Sequence, residues 1–366
     1  MIIGIDASRY NQVSGTGVEA YSVKIINGII EYFKHHPDHT IRLYSPKKLM
    51  LYKTQKIQHR IIPKKRLWTK VRLSLEMLLH KPDVLFVPSH VLPHFCPKKA
   101  VITIHDVAFM HLKKEYARKE FWYLKKSAKY AVKKASSIIV PSEATKKDLK
   151  HFFKCPDEKI HVIPHGCDFK PKHFDADFEA ATMEDLHLRR KDNFLLFIGR
   201  LESKKNILRL IDAFKKFQED FKNYKLVLAG KRGTGFKQIL KHAIKIKAFD
   251  SIIMPGYLSE NEKHVLLKYC NAFVFPSLYE GFGFPVLEAF AYQKPVLAAN
   301  TSSIPEVAGD AALLVNPNDT DEIAAGMKKL ITDAKFKESL LEKEEAQLKK
   351  FNWEVAVLKT IKVLVA

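Results

Sequence analysis

Two glutamates, Glu280 and Glu288, stand eight positions apart around the turn Gly281-Phe282-Gly283-Phe284-Pro285. The turn follows a short apolar run, Ala272 to Phe275, that reads as a buried strand. Pro285 falls where a helix should begin, a position at which proline's missing N–H costs nothing. The segment therefore predicts strand, glycine loop, helix. Gly281 and Gly283 let the backbone approach a ligand closely, and the N–H groups and dipole at a helix start attract an anion such as phosphate. Glu280 then lies in the loop and Glu288 about one turn inside the helix, so that both can face one pocket. A nucleotide-sugar fits such a pocket: its hydroxyls meet carboxylates and its phosphates meet backbone amides. Two nearby carboxylates could also form the acid/base pair of a glycosidase. A glutamate inside a helix beside a phosphate loop is better placed for binding hydroxyls.

Four further segments carry candidate chemistry. In Phe197-Ile-Gly199-Arg200-Leu-Glu-Ser-Lys-Lys205, Arg200 offers a planar fork and Lys205 a mobile point charge, and the two could converge on a diphosphate. Alone, two loop cations are more often solvated surface. Val101-Ile-Thr-Ile-His105-Asp106 runs a strand straight into two polar groups. One reading is a satisfied loop histidine with a capping aspartate; the other puts His105 near a reacting sugar with Asp106 orienting it or the acceptor. Gly15 and Gly17, in Asn11–Glu19, suit a phosphate or sugar loop, but the third glycine of the dinucleotide fingerprint is absent, which counts against a nicotinamide enzyme. His165-Gly166, after the strand pattern His161–Ile163, could serve as a hinge or line a cleft.

Short apolar strands that alternate with helical patterns must position these groups. In the first half they are Ile2–Ile5, Ile41–Tyr44, Val84–Val87, Val101–Ile104, Ser137–Val140 and His161–Ile163. In the second they are Phe194–Ile198, Lys225–Leu228, Ile252–Met254, Ala272–Phe275, Val296–Ala298 and Leu313–Val315. Such alternation predicts an α/β chain with parallel sheets covered on both faces. Two series predict two doubly wound domains, 1–170 and 171–350, with ligands at strand carboxyl ends near the crevice between them. The stretch Cys167 to Arg190 has little apolar periodicity and contains Pro171, and is assigned as the linker. Residues 351–366 form an apolar helix that packs locally or crosses back to brace the first domain.

The chain has 366 residues and 46% hydrophobic composition, enough for two cores. Its four cysteines, Cys96, Cys155, Cys167 and Cys270, form no Cys-x-x-Cys pair, so neither a zinc site nor a disulfide framework is expected and a cytoplasmic setting is the simplest. No run of 18 apolar residues suggests a transmembrane helix, and the opening Met1-Ile-Ile-Gly-Ile-Asp6 reads as a strand rather than a signal peptide. The net charge of +22 is uneven. Residues 1–170 carry 32 basic and 14 acidic side chains, a balance of +18; residues 171–366 carry 30 and 26, a balance of +4. A basic first domain points to an anionic surface, nucleic acid or acidic lipid, or to a merely lysine-rich solvated one. Two basic amphipathic stretches concentrate the charge. From Lys64-Lys65-Arg66 onward, Leu67, Val71, Leu75 and Leu78 form a helical stripe beside Trp68, either core-facing or interfacial at an acidic bilayer. In Lys113–Lys126, Tyr116, Phe121, Trp122 and Tyr123 lie among lysines, a composition suited to lipid headgroups or to stacking on single-stranded nucleic acid. No nucleic-acid motif supports the second.

Taken together the motifs resemble the retaining glycosyltransferases of the large bacterial family that contains O-antigen and lipopolysaccharide mannosyl- and glucosyltransferases, and the opening Gly4-Ile-Asp-Ala, Gly15-Thr-Gly17-Val and His105-Asp-Val are similar to its mannosyltransferase-like branch. The likeness spans nearly the full chain and is strongest from Pro276 to Pro317, including Ser303-Ile-Pro-Glu306-Val and Gly309-Asp-Ala-Ala-Leu-Leu-Val. It implies a GT-B fold, two Rossmann-like domains facing a cleft with the C-terminal helix returning to the first. The first domain would bind the acceptor and the second the donor. Arg200 and Lys205 would neutralise the diphosphate. Glu288 would bond the ribose hydroxyls; Glu280 and the amides of Phe282 and Gly283 would meet the sugar. Tyr257 and Leu258 would read the base, Gly199 would shape the phosphate loop, and His105 would sit by the anomeric carbon. The resemblance implies no cofactor and no metal, a GDP- or UDP-linked sugar donor with mannose first, a saccharide or lipid-linked acceptor, and a cytoplasmic enzyme peripheral to an anionic membrane, without nucleic acid. Gln293-Lys294-Pro295, where the family usually has glycine before x-Pro, and Cys167, where valine is common, depart from the pattern without touching the chemistry.

Overall fold

The computed structural model describes residues 1–10, 16–36, 38–49, 57–63 and 67–366. Gly15 and the basic trio Lys64, Lys65 and Arg66 lie outside the described residues. The chain divides into two compact units, Met1–Gly166 with Asn352–Ala366, and Cys167–Phe351.

The first unit is a parallel sheet of seven strands: β1 (Ile2–Asp6), β2 (Thr40–Ser45), β3 (Ile57–Ile61), β4 (Val84–Val87), β5 (Lys99–Thr103), β6 (Ser137–Val140) and β7 (Ile160–Val162), in the order β3-β2-β1-β4-β5-β6-β7. Every residue of Val84–Val87 is buried, as expected of a central strand with helices on both faces. Six of these strands follow the apolar runs of the sequence. β3 has no such run: Ile57-Gln-His-Arg-Ile61 is partly exposed along its length, the composition of an edge strand.

The helix Trp353–Val365 completes this unit by packing on the helix Gly17–Lys34. Two missing β-carbons make room for it. A Cβ on Gly28 would lie 2.3 Å from Val357 Cγ2, and one on Gly166 would lie 2.3 Å from the Trp353 backbone nitrogen. The apolar end of the chain, with Ile361 and Leu364 buried, thereby joins the core formed by Ile3, Ile5, Ile25 and Ile29.

The stripe at residues 67, 71, 75 and 78 does not face this core. Leu67, Leu75 and Leu78 are exposed, whereas Trp68, Leu73 and Met77 are buried. Residues Trp68–Leu73 wind as a π-helix before the α-helix Ser74–Leu79. Its wider i to i+5 winding breaks the 3.6-residue phase on which the stripe depends. The Trp68 indole donates to the Ile62 carbonyl at 2.8 Å, fixing the turn.

The second unit has six parallel strands: β8 (Asn193–Ile198), β9 (Tyr224–Ala229), β10 (Ile252–Gly256), β11 (Ala272–Phe275), β12 (Val296–Ala299) and β13 (Leu313–Val315), ordered β10-β9-β8-β11-β12-β13. Strand order reverses between β8 and β11, and the carboxyl ends flanking such a switch point are where open α/β sheets bind ligands. The stretch assigned as a linker instead holds a helix of this unit, Ala176–Asp185. Its buried anchor is polar: Glu179 takes Lys268 Nζ and Tyr269 Oη, both at 2.5 Å, and Arg190 at 3.2 Å. A helix held by a buried carboxylate leaves no apolar period in the sequence.

Gly166→Ala tests the docking of the terminal helix. Its Cβ meets the Trp353 backbone nitrogen at 2.3 Å and the root of the indole, Cγ, at 2.4 Å, so overpacking of about 1–3 kcal/mol is expected, read as a lowered unfolding midpoint against Gly166 protein in denaturant.

Candidate functional site

The two loops that leave β8 and β11 are bound to each other. The Leu278 amide donates to the Lys204 carbonyl at 2.9 Å, and Ser277 Oγ lies 3.2 Å from the same carbonyl. Asn206, at a left-handed φ of 62°, sends its side-chain N–H groups to the carbonyls of Pro276 (3.0 Å) and Pro317 (2.6 Å). These contacts fix the spacing of the groups that the loops carry.

Lys205 and Glu280 meet in this frame, Nζ to Oε1, at 2.5 Å, with only 12% and 11% of their side chains exposed. Ser277 donates to the same carboxylate oxygen at 2.5 Å, and Lys205 Nζ lies 5.3 Å above the Phe275 ring. The Glu280 backbone is held as well: its amide donates to Ser302 Oγ (2.9 Å), and the Ser303 hydroxyl, 2.6 Å from the Phe282 carbonyl to which it donates, lies 3.0 Å from the Glu280 carbonyl. Ser277, Asn206, Ser302 and Ser303 had no assigned role in the sequence. Ser277 sits three residues before Glu280, a spacing that could have signalled it. The serine pair lies more than twenty residues away and carries no such signal.

Gly283 precedes the helix Phe284–Ala291 at φ 137°, a conformation open to glycine; a Cβ there would stand 2.8 Å from Ile304 Cδ1. Pro285 is in the first turn, as expected. Glu288 lies further along that helix, and its Oε1 accepts from Lys263 Nζ at 2.9 Å. Burial raises the Glu288 carboxyl above its usual range and Lys263 opposes the rise.

Arg200 is exposed and lies 3.5 Å from Glu202. Gly199 closes β8 with its amide on the Ala229 carbonyl at 2.9 Å, and packs so closely on Gly230 that a Cβ on the latter would fall 1.9 Å from the Gly199 oxygen. Tyr257 and Leu258 follow β10. The Tyr257 ring is half exposed beneath Lys231 Nζ at 4.3 Å, and Leu258 is buried. Arg200, Lys205, Glu280, Glu288 and the Gly281–Gly283 turn are thus all in the second unit, grouped on loops and a helix at the β8/β11 switch point.

His105 and Gly17 are in the first unit. Gly17 begins its helix behind Thr16, whose amide donates to Glu19 at 2.8 Å; the end of that loop is a helix cap. His105 lies two residues past the end of β5 with its ring buried. Its Nε2 is 3.1 Å from the Pro88 carbonyl and its Nδ1 is 3.4 Å from His165 Nε2. A carbonyl only accepts, so Nε2 carries the proton and Nδ1 accepts from His165. Burial, with His90 adding to it, pushes the His105 pKa down to about 3, so the ring is neutral at physiological pH. Asp106 accepts from the Ala108 amide at 3.0 Å, and the Pro88 carbonyl and His165 hold the ring. Among the described residues no group of three or more His, Cys, Asp or Glu could hold a metal ion.

A double-mutant cycle tests the Lys205–Glu280 contact. Lys205→Met strands a buried carboxylate and should cost about 3 kcal/mol or more. Lys205→Met with Glu280→Gln should recover part of that loss in urea unfolding; strictly additive losses would mean the pair is not coupled.

Residues 179–347 match the family described as glycosyl transferases group 1, and residues 35–170 match glycosyltransferase family 4. The chain is 29% identical over 285 residues to the O-antigen chain mannosyltransferase B of Escherichia coli, covering 77% of this chain and 74% of that protein. It is 31% identical over 266 residues to the serotype-specific mannosyltransferase WbdA of Escherichia coli, covering 70% of this chain but only 32% of that longer protein. Among solved structures, Anabaena Alr3699/HepE in complex with UDP-glucose superposes with a TM-score of 0.74 at 16% identity, covering 100% of this chain and 99% of that one. With two Rossmann-like parallel sheets and these matches over most of its length, the chain belongs to the group 1 glycosyltransferases and has the GT-B fold.

Proposed function

We propose that this enzyme transfers a hexose from a nucleotide diphosphate donor to a saccharide or lipid-linked acceptor, with retention of anomeric configuration, in the synthesis of a cell-surface polysaccharide. The observation that carries the reading is the second unit's cluster, in which Lys205, Glu280 and Ser277 are locked together ahead of a helix that bears Glu288. Mannose from GDP-mannose is the first choice of donor, supported by relatives named as mannosyltransferases. UDP-sugars are the second, supported by the HepE complex.

In this reading the second unit binds the donor and the first the acceptor. Glu288 accepts ribose hydroxyls. Glu280 and the backbone of the Gly281–Gly283 turn meet the sugar. Tyr257 and Leu258 flank the base, and Gly199 keeps the β8 loop close to the phosphates. The first unit contributes Gly17 at its helix start and the neutral ring of His105. The transition state is oxocarbenium-like, and negative charge grows on the departing phosphate. Arg200 and Lys205 therefore supply the largest electrostatic term. The departing phosphate takes the acceptor's proton. With these cations in place the reaction needs no divalent ion and survives a chelator.

The exposed apolar side chains of the first unit support a membrane-peripheral setting on the cytoplasmic face. Leu67, Leu75 and Leu78 are exposed, as are Trp122 and Tyr123. Lys70 lies 4.2 Å over the Tyr123 ring and Lys125 5.4 Å over that of Trp122, so cations and rings share one surface, suited to acidic headgroups. No helix among the described residues is long and apolar enough to cross a membrane.

Three experiments test these statements. A thermal-shift panel of nucleotide-sugars identifies the donor. With that donor, Glu288→Ala should raise its KM by about tenfold or more, and Arg200→Ala should lower kcat by about a hundredfold. Unchanged kinetics in both would remove the site. Leu75→Ser with Leu78→Ser should weaken binding to vesicles rich in anionic phospholipid by about tenfold or more, and equal binding would remove the membrane role.

A further inference from the structure

Glu288 is largely enclosed in the second unit, with 18% of its side chain exposed, and the Lys263 ammonium stands against it. Lys263 projects from the neighbouring helix Glu260–Tyr269. Its ammonium is 2.9 Å from Glu288 Oε1 and 3.2 Å from Glu260 Oε2, with 14% of its side chain exposed. It also lies 4.6 Å over the ring of Phe169. Phe169 is itself stacked flat on His264, at 4.4 Å and an interplanar angle of 2°, and the His264 Nδ1 pairs with the Tyr292 hydroxyl at 2.7 Å. The lysine is therefore braced from below by a ring stack and from the side by Glu260, and its free direction is toward Glu288.

We propose that Lys263 is a positioning residue for the donor: it orients the Glu288 carboxylate and keeps it ionised, so that the oxygen it does not occupy is presented to the ribose hydroxyls. The proposal rests on the ribose role given to Glu288 above.

The charge balance around the carboxylate supports it. Burial pushes Glu288 toward protonation, Lys263 opposes this, and Glu260 adds to it. Lys263 remains charged: burial works against it, and Glu288 and Glu260 more than compensate. Cys167 and Asp168 are the other ionisable groups near this site; the Cys167 thiol is pushed up to about 11 by burial and is neutral at ordinary pH. Lys172 lies toward His264. A protonated Glu288 loses acceptor capacity, since one oxygen becomes a hydroxyl. Without Lys263 the donor site would fail progressively as pH falls, because a carboxyl with a raised pKa ionises only at higher pH.

The test is the pH dependence of GDP and UDP binding, measured by calorimetry on the full chain from pH 6 to 9. Lys263→Met should weaken the better-bound nucleotide by about tenfold at pH 7, the equivalent of one unit of pKa. The deficit should widen toward pH 6 and close toward pH 9, and Lys263→Arg should stay within about threefold of the parent protein. A deficit that is the same at every pH, or none, would overturn the proposal. Glu288→Gln, run in parallel, separates the two readings. If it binds as the parent does, the ribose role fails and the proposal with it; if it binds weakly while Lys263→Met binds normally, only the role of Lys263 fails.

Discussion

A charged pair with little access to water organises the second unit's candidate site. Lys205 and Glu280 come from loops after different strands, and neither is solvated enough to stand alone. Their contact, with Ser277 on the same oxygen and Asn206 bridging the loops, requires β8 and β11 to be neighbours and their loops to leave the same edge. The strand order supplies that adjacency. On the other side of β8, Gly199 packs on Gly230 at the end of β9 with no space for a side chain. A single ion pair thus depends on sheet order and on the contacts between the two loops together.

The same pair explains why two glutamates in a glycine loop need not act as an acid and a base. Glu280 is committed to Lys205 and Ser277, and Glu288 to Lys263. Each carboxylate faces a lysine rather than the other carboxylate. Under the proposed function they are hydroxyl acceptors, and proton transfer falls to the donor's own phosphate. His105 follows the same logic in the first unit. Its protonation is suppressed by burial, and its nitrogens are engaged by the Pro88 carbonyl and His165, so the ring is held neutral and in one orientation.

Much of the architecture was legible because buried parallel strands leave near-continuous apolar runs. Val84–Val87 and Ala272–Phe275 were found to the residue. What escaped was held by other forces. β3 is a polar edge strand paired through backbone, and the helix Ala176–Asp185 is anchored by a buried glutamate. The stripe at Leu67, Leu75 and Leu78 was read with α-helical spacing, which the π-turn at Trp68–Leu73 invalidates. In the site, the residue types and spacing were visible in Glu280, Glu288 and Lys205. Their partners were not, because Ser302, Ser303 and Lys263 become neighbours only through the crossover connections of the fold.

The central claim is that the β8/β11 switch point seats a nucleoside diphosphate, with cations for the phosphates and a carboxylate for the ribose. Calorimetric titration of the intact protein with nucleoside, nucleoside monophosphate and nucleoside diphosphate, in the guanosine and uridine series, measures it most directly. The account predicts one site per chain and a gain of about tenfold or more on adding the second phosphate. An affinity that does not change from monophosphate to diphosphate in either series would contradict it.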